Sequence, residues 1–207
     1  MDHHDLKNMR TLDRLNCVQP HDVVVDVGAC DGTYIRYFGK KLLGTGKIYC
    51  VELSKSNYSH LVRTFFGQPN ILGVNAAISD ENGKLQFYKG DSPEQFNIVG
   101  HDTSHNKQEV AGVVPCVRLD TLLANEPKIK IVKIDVEGAE AKVLKGMKGI
   151  VSNVECILLE NHFDEDWPEI RKILIEDYGF TCYNMETDEK LDMESPRPYQ
   201  CLCQRKI

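Results

Sequence analysis

A short apolar run that ends in an acid and two spaced glycines constrains this chain more than any other feature. VVVDVGACDGTY, residues 23–34, reads as a buried strand, a tight turn and the start of a helix. Residues 23–27 are apolar except for Asp26, as suits a strand covered on both faces. Gly28 permits the turn and lets a ligand approach the backbone closely. Gly32 opens the helix, whose first N–H groups point into the crevice. Open α/β sheets bind ligands at this place, beyond the carboxyl ends of their strands.

The same alternation continues along the chain. Strand-like runs at 47–53, 70–78, 129–136 and 154–160 are rich in apolar residues. Helical patterns occupy 33–43, 54–66, 139–150 and 167–178. In the first, Ile35, Phe38 and Leu42 share one face, and in the third Val143, Leu144 and Met147 do. Strand and helix in alternation predict an α/β fold with a doubly wound, mostly parallel sheet. Residues 84–88 and 112–119 read as two further strands around a long polar loop, 90–110, of a length that is usually functional. Residues 180–185 and 199–205 flank an acidic turn with Pro196 and Pro198 and predict a closing pair with an antiparallel C-terminal strand. Leu6, Met9, Leu12 and Leu15 have helical spacing, so the N-terminal segment, 1–19, is expected to be helical and to pack across the site mouth or the sheet edge. With 207 residues, the chain is expected to form one domain over 1–207.

Composition narrows the partners. Lys and Arg number 25 against 31 Asp and Glu, a net charge of −6, and no basic run occurs, so no nucleic-acid partner is expected. No run of about 18 apolar residues exists, so no membrane span is expected. The polar opening, residues 1–10, is no secretory signal, which predicts a cytoplasmic location. None of the eight cysteines forms a Cys-x-x-Cys pair, so they are expected to be reduced thiols acting as small hydrophobes, without structural zinc.

The glycine turn discriminates between ligands. A dinucleotide fingerprint beginning at Gly28 would place its next glycines at Cys30 and Thr33, and fails at both. The phosphate loop fails as well, since Gly32 is followed by Thr33 with no lysine before it. Asp26 and Asp31 would repel a pyrophosphate but attract a ligand carrying an amine and a sulfonium. Glu52 ends the second strand, where a carboxylate about 20 residues past the turn can accept both hydroxyls of a ribose. An adenosine without phosphates and with a cationic amino-acid tail describes S-adenosyl-L-methionine. Asn75, Ala76 and Ala77 end the third strand, where they border the adenine or simply pack. The expected cofactor residues are Asp26, Gly28, Ala29, Cys30, Asp31, Gly32, Glu52, Leu53, Asn75, Ala76 and Ala77.

Five segments together, VVVDVGACDG, NAAISDENGKLQFY, VRLDTLL, KIDVEGAEAKVLKGM and ILLEN, resemble the FkbM family of S-adenosylmethionine-dependent methyltransferases. KIDVEGAE is the specific part, and the resemblance runs from residue 23 to 161. It implies a Rossmann-like class I methyltransferase fold and O-methylation of a sugar or another small hydroxylated acceptor. The long loop and the tail beyond Asp164 fall outside it.

A second group of acids follows. Asp135, Glu137 and Glu140 close the fourth strand of the main sheet and open a helix, and Glu160, Asn161 and His162 close the fifth. An acid in a first helical turn stabilises it by about 0.3–1 kcal/mol, which accounts for Glu140. Asp135, Glu137, Glu160 and His162 are the expected catalytic residues, converging on the transferred methyl. Alignment of a hydroxyl with that methyl supplies about 7–11 kcal/mol, and a base about 10²–10⁴-fold. His162 or Asp135 is expected to be the base, with Glu137 and Glu160 orienting the acceptor.

Asp135, Glu160 and Asn161 also look like the magnesium ligands of catechol O-methyltransferases. A divalent metal such as magnesium stays open but is not favoured, because acids beside a cationic cofactor already have a role. His101, Asp102 and His105, in the long loop, are read as part of an acceptor lid or as solvated surface. Two other functions stay open. One is a non-catalytic S-adenosylmethionine-binding partner protein. The other, disfavoured by the failed fingerprint, is an NAD-dependent oxidoreductase.

Overall fold

The computed structural model describes residues 3–65, 67–89, 96–98 and 109–205. In chain order the elements are α1 (His3–Arg14), β1 (Val23–Val27), α2 (Thr33–Leu42), β2 (Lys47–Val51), α3 (Lys55–Phe65), β3 (Ile71–Val74), β4 (Ala77–Ile78), β5 (Gly83–Lys89), β6 (Phe96–Asn97), β7 (Val110–Val117), α4 (Leu119–Leu122), β8 (Ile129–Ile134), α5 (Glu140–Gly146), β9 (Val154–Glu160), α6 (Trp167–Arg171), β10 (Thr181–Asn184) and β11 (Gln200–Gln204). After α6 the chain winds on as a wider π-helix over Lys172–Asp177.

Seven strands form the main sheet in the order β10-β11-β9-β8-β1-β2-β3. The five from β9 to β3 run parallel, and β11 is antiparallel to both of its neighbours. The strand order reverses between β1 and β8, which opens a crevice at their carboxyl ends. Alternation along the strands feeds two cores. Val25, Val132, Ile134, Ile157 and Leu159 face α5 and α6, where Val143, Leu144, Trp167 and Ile170 meet them. Val24, Ile48, Ile131 and Leu158 face the other layer, with Ile35 and Phe38 of α2, Leu61 of α3, and Met9 and Leu12 of α1. This α/β/α layering is the expected doubly wound architecture. Among the described residues, no helix is long and apolar enough to cross a membrane.

Two strand expectations need correction. The run 70–78 is not one strand: it breaks after Val74, and Ala77–Ile78 joins a second sheet ordered β4-β7-β5-β6. The cause is local. The Asn75 side chain donates to the carbonyls of Glu52 (2.8 Å) and Leu53 (3.0 Å), which draws the chain out of line. The loop 90–110 contains β6, paired antiparallel with β5. His101, Asp102 and His105 lie outside the described residues.

The cysteine expectation is also corrected. Cys182 and Cys203 stand directly opposite in the β10–β11 ladder and are joined as a disulfide, while the other six cysteines are free. Sequence spacing could not reveal this pair, since the register of the closing hairpin creates it. The expected outcome of thiol titration of the chain denatured without reductant is six reactive groups, rising to eight after reduction. Eight before reduction would contradict the pairing.

α5, which carries Glu140, is seated by one close approach. A Cβ on Gly146 would lie 2.2 Å from the carbonyl oxygen of Ser79, just past β4. Gly146→Ala must push the helix off that backbone, at a cost of about 1–3 kcal/mol. Thermal unfolding should then fall by roughly 2–4 °C for each kcal/mol lost. An unchanged Tm would mean that α5 has room to shift.

Candidate active site

A cleft of about 400 Å³ opens at the carboxyl ends of β1, β2, β8 and β9, a size suited to a small-molecule site. Its floor is the turn after β1. Gly28 adopts φ 82°, and a Cβ there would sit 1.7 Å from the carbonyl oxygen of Asp135, beyond β8. The turn therefore packs backbone against backbone and leaves the space above it open. Gly32 is the N-cap of α2 and is also left-handed.

One wall follows from β2. Glu52 is buried, and both of its oxygens accept backbone N–H groups: Oε2 from Cys30 (2.9 Å) and Oε1 from Ser54 (2.7 Å). Burial raises its pKa, and these two donors oppose the rise. Each oxygen keeps a lone pair for a ligand. Leu53, Ala76 and Ala77 continue this wall.

Between the walls lies a lysine that sequence reasoning missed. Lys133 Nζ is 3.0 Å from Asp135 Oδ2, 3.6 Å from Asp26 Oδ1 and 3.3 Å from the Gly28 carbonyl, and it sits 4.9 Å above the Tyr34 ring. Burial lowers its pKa, but Asp135 and Asp26 more than reverse that, so it stays charged. Asp26 is buried beneath the turn, and desolvation, only partly offset by Lys133, pushes its pKa up to about 6.

The far wall holds the second cluster. Glu160 is fixed by the hydroxyl of Tyr199 (2.5 Å) on Oε1 and the amide of Gln200 (2.7 Å) on Oε2. Burial and the charge of Asp135 raise its pKa. His162 lies behind: Nδ1 is 2.7 Å from Glu140 Oε1, and Nε2 is 3.3 Å from Glu137 Oε2 and 3.6 Å from Asp135 Oδ1 and Glu160 Oε1. Burial lowers the His162 pKa, but Glu140, then Glu137 and Asp135, carry it up to about 9. In this arrangement the surrounding carboxylates favour the charged form of the imidazole. Glu137 presents its carboxylate from a left-handed backbone (φ 55°), a conformation that tends to mark ligand sites.

The expected residues thus separate by position. Gly28, Ala29, Cys30, Asp31, Glu52, Leu53, Ala76, Ala77, Asp135, Glu137 and Glu160 line the cleft. Asp26, Gly32, Asn75 and His162 support it from behind. Asp31 is largely spent on α2: Thr33 donates its amide (2.9 Å) and hydroxyl (3.0 Å), which hold the Asp31 pKa low against the effect of burial. Asn161, the third member of the magnesium set with Asp135 and Glu160, gives its amide to the Pro198 carbonyl (3.0 Å). Asp135, Glu137 and His162 do place donor atoms within 4.8 Å of one another and could hold a metal. Glu140 is more than a helix-end charge, being wholly buried against His162. The sequence signal for Lys133 was weak, since the strand Ile129–Ile134 also carries Lys130. Tyr199 carried no signal.

Comparison with known proteins agrees with this architecture. The methyltransferase FkbM domain matches residues 26–182. The hexuronic acid methyltransferase AglP of Haloferax volcanii is 26% identical over 158 residues, which cover 75% of this chain and 62% of that protein. This chain therefore spans less than two thirds of that relative's length. The crystal structure of the FkbM methyltransferase from Methylobacillus flagellatus KT superposes with a TM-score of 0.52 at 12% identity, covering 99% of this chain and 56% of the other. Precorrin-6y C5,15-methyltransferase from Geobacter metallireducens GS-15 superposes at 0.55 with 15% identity, over 96% and 86% of the two chains. The fold is that of class I S-adenosylmethionine-dependent methyltransferases, and with its FkbM domain spanning most of the sequence the chain belongs to the FkbM methyltransferase family.

Proposed function

We propose that this chain transfers the methyl group of S-adenosyl-L-methionine to a hydroxyl of a sugar or a similar small hydroxylated acceptor. One observation carries the reading: a single cleft joins the Gly28 turn and Glu52 on one side to Asp135 and Glu160 on the other. The residues suit the cofactor. The backbone at Gly28 leaves no room for a side chain, Glu52 offers lone pairs to a ribose, and the turn has no lysine for a phosphate. A sugar acceptor is supported by the name of the similar AglP protein, a hexuronic acid methyltransferase.

When bound, the cofactor supplies a methyl already activated by its positive sulfur. The chain must align a hydroxyl with it and receive the proton. We assign the proton to Glu160, because Tyr199 and Gln200 fix its rotamer at the cleft wall and each oxygen keeps a lone pair. Asp135 differs in being paired with the charged ammonium of Lys133 (Oδ2, 3.0 Å), where the partners of Glu160 are neutral. In the transfer the carbon–sulfur bond breaks as the carbon–oxygen bond forms, and the hydroxyl proton passes to Glu160.

Two measurements test this. Calorimetric titration with S-adenosylhomocysteine should show one site, not displaced by NADH. Glu52→Gln should weaken it about 10–100-fold, as expected for losing hydrogen bonds to a charged group. No binding by folded protein would remove the cofactor assignment. With a labelled methyl donor and a panel of neutral and acidic sugars, Glu160→Gln should lower kcat about 10²–10⁴-fold and leave S-adenosylhomocysteine affinity unchanged. A kcat within threefold of the parent would move the base elsewhere.

A further inference from the structure

The spacings around His162 Nε2 are longer than hydrogen bonds. An N–H···O bond usually measures about 2.7–3.2 Å, and one N–H points at one acceptor. Here three carboxylates face Nε2 at 3.3, 3.6 and 3.6 Å. A cation with bonds of about 2.1 Å holds neighbouring donors about 3.0–3.4 Å apart; the Glu137 spacing falls in that range, the Asp135 spacing just beyond it, and the donor atoms of Asp135, Glu137 and His162 all lie within 4.8 Å of one another. The other ring nitrogen adds an independent sign. Nδ1 meets Glu140, which is wholly buried, aims its carboxylate at the imidazole, and has no partner on Oε2. A buried acid behind a histidine is how proteins orient an imidazole toward a metal.

We propose that Asp135 Oδ1, Glu137 Oε2 and His162 Nε2 form a site for one divalent cation, with Glu140 as the residue that positions the imidazole. One nitrogen and two carboxylate oxygens suit a first-row ion of the manganese or zinc kind better than calcium. The ion takes the place of the Nε2 proton. Three protein donors leave coordination positions open toward the acceptor half of the cleft. Glu160 is not among the ligands and remains the proton acceptor. The assignment rests on the proposed methyl transfer for its purpose, not for its existence. It also bears on the acceptor. Asp135, Glu137, Glu140 and Glu160 would repel an acidic sugar, and a doubly charged ion among them offsets that repulsion.

The test uses the full chain, stripped with chelator and dialysed, and titrated with Mn²⁺ while the free ion is followed by electron paramagnetic resonance. The expected result is one Mn²⁺ per chain. Glu140→Gln should weaken binding about 10–100-fold. Glu137→Gln, at a partly exposed position, should weaken it at least as much. Circular dichroism establishes that each variant is folded. No Mn²⁺ binding by folded parent protein at millimolar ion, or affinity unchanged in Glu137→Gln, overturns the site. S-adenosylhomocysteine titration of the same samples separates the two proposals. Cofactor binding without Mn²⁺ binding sinks this one alone, and Mn²⁺ binding without cofactor binding sinks the methyl-transfer reading alone.

Discussion

Lys133 ties the two halves of the crevice together. Its ammonium lies between Asp26, under the Gly28 turn, and Asp135, at the start of the far wall, and it also meets the carbonyl of Gly28. Burying a lysine is costly unless carboxylates compensate, and burying carboxylates is costly unless a cation does. Removing one member of such a set usually costs about 3–5 kcal/mol, because the others are left uncompensated. The packing of Gly28 on the Asp135 carbonyl adds a steric tie at the same point. The turn after β1 and the segment after β8 therefore cannot move independently, and every distance across the cleft inherits that rigidity.

Much of this was legible in the sequence, for a physical reason. Parallel strands buried on both faces must be largely apolar, so Val23–Val27 and Val154–Glu160 announced themselves despite Asp26 and Glu155, and the glycine turn between strand and helix announced the crevice. Long-range pairings left less trace. Asn75 reads as one polar residue in a strand, and only its bonds to the carbonyls of Glu52 and Leu53 reveal why β3 and β4 part. Cys182 and Cys203 become neighbours through hairpin register, which spacing does not encode. His162 reads as a base because imidazoles titrate near neutrality, and the carboxylates that surround it, Glu160 two residues before it and Asp135, Glu137 and Glu140 from another segment, are brought there by the fold.

The legible and hidden parts of the site differ in kind. Residues on the Gly28 side of the cleft are defined largely through backbone: Gly28 by lacking a side chain, Glu52 by gathering the amides of Cys30 and Ser54. Such roles depend on local chain geometry, which short motifs record. The far wall is built from side chains brought from β8, α5, β9 and the segment before β11. Tyr199 reaches Glu160 across 39 positions of chain, and His162 reaches Glu140 across 22. These contacts are products of topology.

Charge explains why such an arrangement suits methyl transfer from a sulfonium. The donor loses its positive charge as the methyl leaves, and the acceptor hydroxyl loses its proton. A cleft with carboxylates on both sides favours the charged donor before transfer and takes up the proton as the oxygen is methylated. The same acids would disfavour an acidic acceptor unless a cation stands among them. On the proposed reading, the charge beside Nε2 of His162 bears on the acceptor, and Glu52 and the Gly28 turn bear on the donor.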